Sequence, residues 1–217
     1  MTFTPAFPLG TAFLPGDAVV LRVFESRYLD LVNVVMRNDR TFVSSLISAG
    51  SEVGGGDKRF NAGVYVEIDH VEEAEFGLML YAHATRPVSI STWNDDFTYP
   101  RAECHAQTQA SPVASHVAIA ALARLANSID DFFAFLNKMN VPIPAPKGMM
   151  SSLVPSMDSN LQPDEQLDLF WSLARLIPST PLARYELLVD QALTVRIDRA
   201  MAEIEHLRDI VAFRYGQ

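Results

Sequence analysis

Between about residues 17 and 107, apolar and polar positions alternate in short runs bounded by Gly, Asn, Asp and Pro, the period of half-buried strands. Val64, Val66 and Ile68 alternate with Tyr65, Glu67 and Asp69. Leu78, Leu80, Ala82 and Ala84 alternate with Met79, Tyr81 and His83, and Val88, Ile90 and Thr92 follow a break at Pro87. Glu75-Phe76-Gly77 and Thr85-Arg86-Pro87 supply turns between these runs, which predicts an antiparallel meander forming a small sheet or barrel. Serines 44, 45 and 48 lie on a further strand, where they are expected to mark its wetter face. One stretch breaks the pattern: Tyr28, Leu31, Val32, Val35 and Met36 recur at three and four, predicting a helix from Ser26 to Asn38 packed on the barrel.

At Ser111-Pro112 the period changes from two to 3.6, with Ser at the N-cap and Pro at the first helical position. Ile119, Leu122, Leu125, Ala126, Ile129, Phe132, Phe133 and Leu136 then make one broad apolar face up to Asn140. The prolines at 142, 144 and 146 cannot continue a helix, so residues 141–162 read as a long loop. Three more helices are expected: one from Pro163-Asp164-Glu165, one from Thr180-Pro181 and one capped by Thr194. The expected class is α+β, with a β-rich lobe over 1–110 and a four-helix bundle over 111–217.

Composition narrows the function classes. With 217 residues, 49% hydrophobic and 20% charged, the chain can bury a real core. Its apolar runs are too short to span a bilayer, which excludes an integral membrane helix. The start Met1-Thr2-Phe3-Thr4-Pro5 carries no secretory pattern, so the cytoplasm is the expected compartment. A single cysteine, Cys104, precludes an intrachain disulfide and agrees with a reducing environment. A net charge of −9 repels phosphate backbones, which disfavours nucleic acid as a partner.

No motif for catalysis emerges. Gly54-Gly55-Gly56-Asp57-Lys58-Arg59 lacks the spacing of a phosphate-binding loop and has no hydroxyl residue after the lysine to hold magnesium. The five histidines include no i, i+4 pair, and Glu203 with His206 is a lone Glu-x-x-His on a helix face. Neither a Gly-x-Ser-x-Gly elbow nor a Ser-x-x-Lys arrangement occurs. The expectation is therefore a non-enzyme with no catalytic residue, metal or cofactor.

The run Phe7-Pro8-Leu9-Gly10-Thr11-Ala12-Phe13-Leu14-Pro15-Gly16-Asp17, followed by Phe24-Glu25-Ser26-Arg27-Tyr28, resembles the amino-terminal domain of the Lon protease family. Gly54-Gly55-Gly56 with Phe60 and Gly63, then Tyr99-Pro100-Arg101-Ala102-Glu103, resembles the short, free-standing bacterial Lon-domain proteins. The likeness covers residues 5–107 well and the helical half only in layout. It implies a PUA-like β-barrel with one packed helix, joined to a helical bundle, and a role in holding polypeptides without the ATPase and protease modules of full-length Lon. The motif residues themselves are expected to be mainly structural: Pro15-Gly16 suits a tight turn, and Arg27 is placed to pair with Glu25 or another carboxylate.

The expected function is binding of unfolded or partner polypeptides, with a protease or chaperone acting in trans as a candidate associate. Expected contacts are Trp93, Phe97 and Tyr99 around Asn94-Asp95-Asp96, and Met149, Met150 and Met157 in the long loop. An extended peptide could add to a barrel edge strand or lie between the lobes. Alternatives are a small molecule in the barrel pocket, or RNA on Arg37, Arg40, Lys58 and Arg59, which the net charge opposes. A monomer and a homodimer fit the sequence equally well.

Overall fold

The computed structural model describes residues 3–107, 112–141, 153, 155, 160–190 and 192–215. Among them the order is β1 (Phe3–Leu9), β2 (Ala18–Val23), α1 (Ser26–Met36), β3 (Thr41–Ala49), β4 (Lys58–Glu73), β5 (Leu78–Asn94), β6 (Arg101–Ala106), α2 (Ser115–Lys138), α3 (Pro163–Ala174), α4 (Pro181–Val189) and α5 (Leu193–Tyr215). The fold is mixed α+β. Two compact units are present: residues 1–107 with 180–189, and residues 108–179 with 190–217.

The first unit is a six-stranded sheet in the order β2-β5-β4-β3-β1-β6, with a further pairing of β5 to β6. β1 runs parallel to β3, as in Phe7 opposite Ser44, and every other pairing is antiparallel. Alternation does what the sequence predicts on β4, where Val64, Val66 and Ile68 are buried. Ala6, Val43, Val88, Ile90 and Ala102 form one core cluster, against which Tyr65, Trp93 and Cys104 pack. The α1 stripe of Tyr28, Leu31, Val32 and Val35 is buried as expected. Tyr28 stacks on Phe7 with ring centroids 3.8 Å apart.

Three expectations are corrected in this unit. Thr85-Arg86-Pro87 is not a turn, because β5 runs unbroken from Leu78 to Asn94. The register shifts there, from Val66 opposite Ala84 to Val64 opposite Pro87, so Pro87 sits at a bulge, where the missing N–H costs no regular ladder bond. Beyond it, β5 exchanges β2 for β6 as its partner. Ser44 and Ser45 are buried instead of lying on a wet face. The Ser45 hydroxyl reaches the Phe60 carbonyl (2.9 Å) and the Ala62 carbonyl (3.1 Å) of the neighbouring strand, which gives this polar group a partner within the sheet.

The third correction concerns the four-helix bundle. All four helices form, but α4 belongs to the sheet unit. Tyr185 stacks on Phe60 at 4.2 Å, and Arg184 donates to the Ala12 carbonyl (2.7 Å) and to Asp17. Short-range periodicity cannot distinguish a helix that packs on helices from one that packs on strands, since both need one apolar stripe.

The helical unit contains α2, α3 and α5 among the described residues. α2 begins at Ser115, three residues after Pro112, and Ala114 occupies the N-cap position. Gln166 holds the preceding Val113 carbonyl (3.1 Å), and the Ser115 hydroxyl accepts the Leu161 N–H (2.7 Å), so tertiary bonds set this start. At the other end Asn140 takes φ 54, and the Val141 N–H returns to the Leu136 carbonyl, closing the helix as anticipated at Asn140. α3 starts at Pro163 with a capping box, the Gln162 N–H donating to Glu165 (2.7 Å). α5 starts at Leu193, so Thr194 lies inside the helix and does not cap it. Arg196 is buried with its guanidinium 4.8 Å from the Trp171 ring centroid, and burial draws its pKa down to about 10, against the upward pull of Asp190.

Candidate functional site

The family-motif residues fall in two places, the turn before β2 and the start of α1 after it. Leu14-Pro15-Gly16-Asp17 forms a tight turn, with the Asp17 N–H bonded to the Leu14 carbonyl (3.0 Å) and Gly16 at φ 86. That pair of features suits Pro then Gly at the central positions. The Asp17 carboxylate accepts the Leu14 N–H (2.7 Å) and the Arg184 guanidinium, tying the turn to α4.

At the start of α1 the expected pair forms: Arg27 Nε donates to Glu25 (3.2 Å). Both side chains also reach the β3–β4 connection. Glu25 accepts the Gly54 N–H (3.2 Å), and Arg27 Nη2 donates to the Glu52 carbonyl (2.9 Å). The Glu52 carboxylate in turn accepts the Gly10 N–H. Gly54, Gly55 and Gly56 stand at φ 96, 80 and 75, a left-handed run that L side chains rarely adopt. Gly54 to Gly56 is therefore a backbone loop bonded to the helix start by the family-motif residues.

Beside it lies a cluster that sequence reasoning missed. Arg59 Nε donates to Asp57 (2.5 Å), Nη1 donates to Asp95 (2.7 Å), and the guanidinium sits 4.9 Å from the centroid of Trp93. The Arg59 and Asp57 side chains are only 6% and 1% exposed, whereas Asp95 is open to solvent. Burial would raise the Asp57 carboxyl, but the hydrogen bond and charge of Arg59 prevail and hold it below the ordinary carboxylate value. Burial would lower the Arg59 pKa, and its bonds to Asp57 and Asp95 raise it instead. The sequence signal was Asp57-x-Arg59, an i, i+2 pair at the start of β4, but its third partner lies 36 residues from Arg59.

Of the expected contact residues, the structure brings Trp93 and Phe97 together around this cluster. Trp93 is half-buried, and its indole N–H donates to Asn61 (3.3 Å). Phe97 is 52% exposed and covers Arg101, whose guanidinium lies 4.4 Å from the ring centroid. Tyr99 is buried, at the β5–β6 connection. Met149, Met150 and Met157 lie outside the described residues. Arg27, Asp57, Arg59, Asp95, Phe97 and Tyr99 are among the residues that line one hollow.

A second hollow, also missed, lies along β2. Phe7, Leu9, Tyr28 and Val53 line it together with Val20 to Glu25 and Glu52. Val20, Phe24 and Val53 are each more than half exposed there. Phe24, expected among the mainly structural motif positions, is 55% exposed and lines this hollow.

No cluster of three or more His, Cys, Asp or Glu side chains converges on a metal-sized space among the described residues. Burial, helped by Glu103, pushes the Cys104 thiol up to about 12, which makes it a poor nucleophile. No described helix is long and apolar enough to cross a membrane.

The chain is similar in fold to two solved structures. One is a Lon N-terminal domain protein from Xanthomonas campestris, 24% identical, with a TM-score of 0.60 over 93% of this chain and 98% of that one. The other is the N-terminal domain of the Mycobacterium avium complex Lon protease, 14% identical, with a TM-score of 0.62 over 94% of this chain and 98% of that one. No curated protein sequence matches. The sequence profile of one family, described as the ATP-dependent protease La (LON) substrate-binding domain, matches residues 4–206, nearly the whole chain. This chain therefore belongs to the Lon substrate-binding domain family.

Proposed function

We propose that this chain is a non-catalytic polypeptide-binding module that holds extended or unfolded protein segments on the sheet unit and works in the cytoplasm beside a protease or chaperone acting in trans. The observation that carries this reading is the exposure of large apolar side chains around one hollow, Val20, Phe24 and Val53, in a chain of a substrate-binding family. Exposed apolar groups gathered at a concavity mark interaction surfaces. Phe97 and Trp93 add a second apolar patch, and the Met149, Met150 and Met157 side chains are proposed as adaptable further contacts. The sheet is read as a PUA-like barrel, a reading supported by the pairing of β5 with both β4 and β6.

The test is fluorescence anisotropy of a labelled, reduced and alkylated polypeptide titrated with the protein, with a labelled single-stranded RNA run alongside at the same salt. Saturable polypeptide binding without RNA binding is expected. Binding of RNA alone, or of neither probe, would overturn the reading.

A further inference from the structure

We propose that the free edge of β2 is where a polypeptide binds, by adding an extended strand whose apolar side chains enter the adjoining hollow and whose carboxylate meets Arg22. This rests on the polypeptide-binding reading above and assigns it a strand, a mode and a partner chemistry.

β2 stands at the end of the sheet order and pairs only with β5 among the described strands. Its register fixes which groups are unused. The Ala84 carbonyl accepts the Gly16 N–H (2.7 Å) and the Ala84 N–H donates to the Asp17 carbonyl (2.9 Å), so Gly16 and Asp17 together take the place of one hydrogen-bonded partner and the Asp17 carbonyl points to β5. In an antiparallel ladder hydrogen-bonded pairs alternate with pairs whose groups turn outward. Continuing the register, Val19, Leu21 and Val23 bond β5, opposite Ala82, Leu80 and Leu78. Val20 and Arg22 therefore direct their N–H and C=O groups away from the sheet.

The hollow lies along this edge. Four successive β2 residues, Val20 to Val23, line it. Side chains of successive residues point to opposite faces of a sheet, so only a space along the strand's edge touches all four. Leu9, Phe24 and Val53 supply its apolar wall. Natural edges are commonly blunted by proline, bulges or several charges. The run Ala-Val-Val-Leu-Arg-Val carries none of these except Arg22.

Charge selects the segment. The carboxylates at the hollow are engaged, Glu25 with Arg27 and the Gly54 N–H, Glu52 with the Gly10 N–H. Arg22 is exposed, lines the hollow and makes no side-chain bond among the described residues. The complementary ligand is an extended segment of alternating apolar residues with an Asp or Glu opposite Arg22.

Two labelled ten-residue peptides of alternating Val and Thr, one with a central Glu and one with Gln, serve as probes beside the unfolded polypeptide used above. Val20→Pro is the informative variant, because proline is tolerated on an edge strand where the lost N–H faces outward. Its thermal unfolding is expected to stay near that of the wild type, while affinity for the Glu peptide falls about tenfold or more. Val20→Lys, which keeps the backbone N–H, covers the case in which the proline variant does not fold, and is expected to weaken binding as well. Amide hydrogen exchange is expected to slow at Val20 and Arg22 when the Glu peptide binds, with the Gln peptide binding more weakly. Binding that survives in both variants without that protection would overturn the edge assignment and leave the polypeptide reading standing. Failure of the unfolded polypeptide and both peptides to bind the wild type would overturn both.

Discussion

The guanidinium of Arg59 lies over the indole of Trp93, 4.9 Å from the ring centroid, and spans from buried Asp57 to exposed Asp95. A β4 side chain thus holds the loop before its own strand and the loop after β5, on which Phe97 stands. Arg59→Met is expected to lower unfolding stability by about 3 kcal/mol, since it strands a buried carboxylate. Urea unfolding measures the loss, and Asp57→Asn in the same chain is expected to recover part of it. Additive losses in the double variant would refute the pairing as the cause.

Asp57 also predicts a pH dependence. Its carboxyl is held below the ordinary value, so its contribution is present above the unfolded carboxylate pKa and is lost as pH falls through the lower folded value. The urea midpoint of the wild type is expected to drop below about pH 4. In Asp57→Asn this component is absent, and the midpoint falls less between neutral and acid pH. Parallel acid limbs in the two proteins would show that other groups govern the decline.

The glycine loop should respond unequally along its length. A Cβ on Gly55 would sit 3.1 Å from Arg27 Nη1, whereas at Gly54 and Gly56 it would meet nothing within 4 Å. Each alanine pays for a left-handed backbone, roughly 1 kcal/mol, and only Gly55→Ala also displaces Arg27 from Glu25 and Glu52. Gly55→Ala is therefore expected to be the most destabilising of the three by thermal unfolding. Equal shifts for all three would mean that backbone strain alone sets the cost.

Much of this molecule follows from local pattern. Period-two alternation and the turn at Gly77 placed the hairpin of β4 and β5, the three-four spacing from Tyr28 placed α1, and Pro163 and Pro181 marked their helix starts. The Lon-type motif was legible because its residues act on near neighbours: Pro15 and Gly16 within one turn, Glu25 and Arg27 two residues apart.

What tertiary structure alone decided depends on partners distant in sequence. Pro87 reads locally as a break, yet β5 passes through it because its pairing with β4 shifts register there and its other side lies between the end of β2 and the start of β6. α4 has an ordinary helical stripe, and distant partners such as Phe60, Ala12 and Asp17 assign it to the sheet unit. Tyr99 reads as a contact residue and is buried, while Phe24, read as a mainly structural motif position, is more than half exposed. The place of β2 at the end of the order of described strands is the clearest case, because strand order is a property of the assembled sheet.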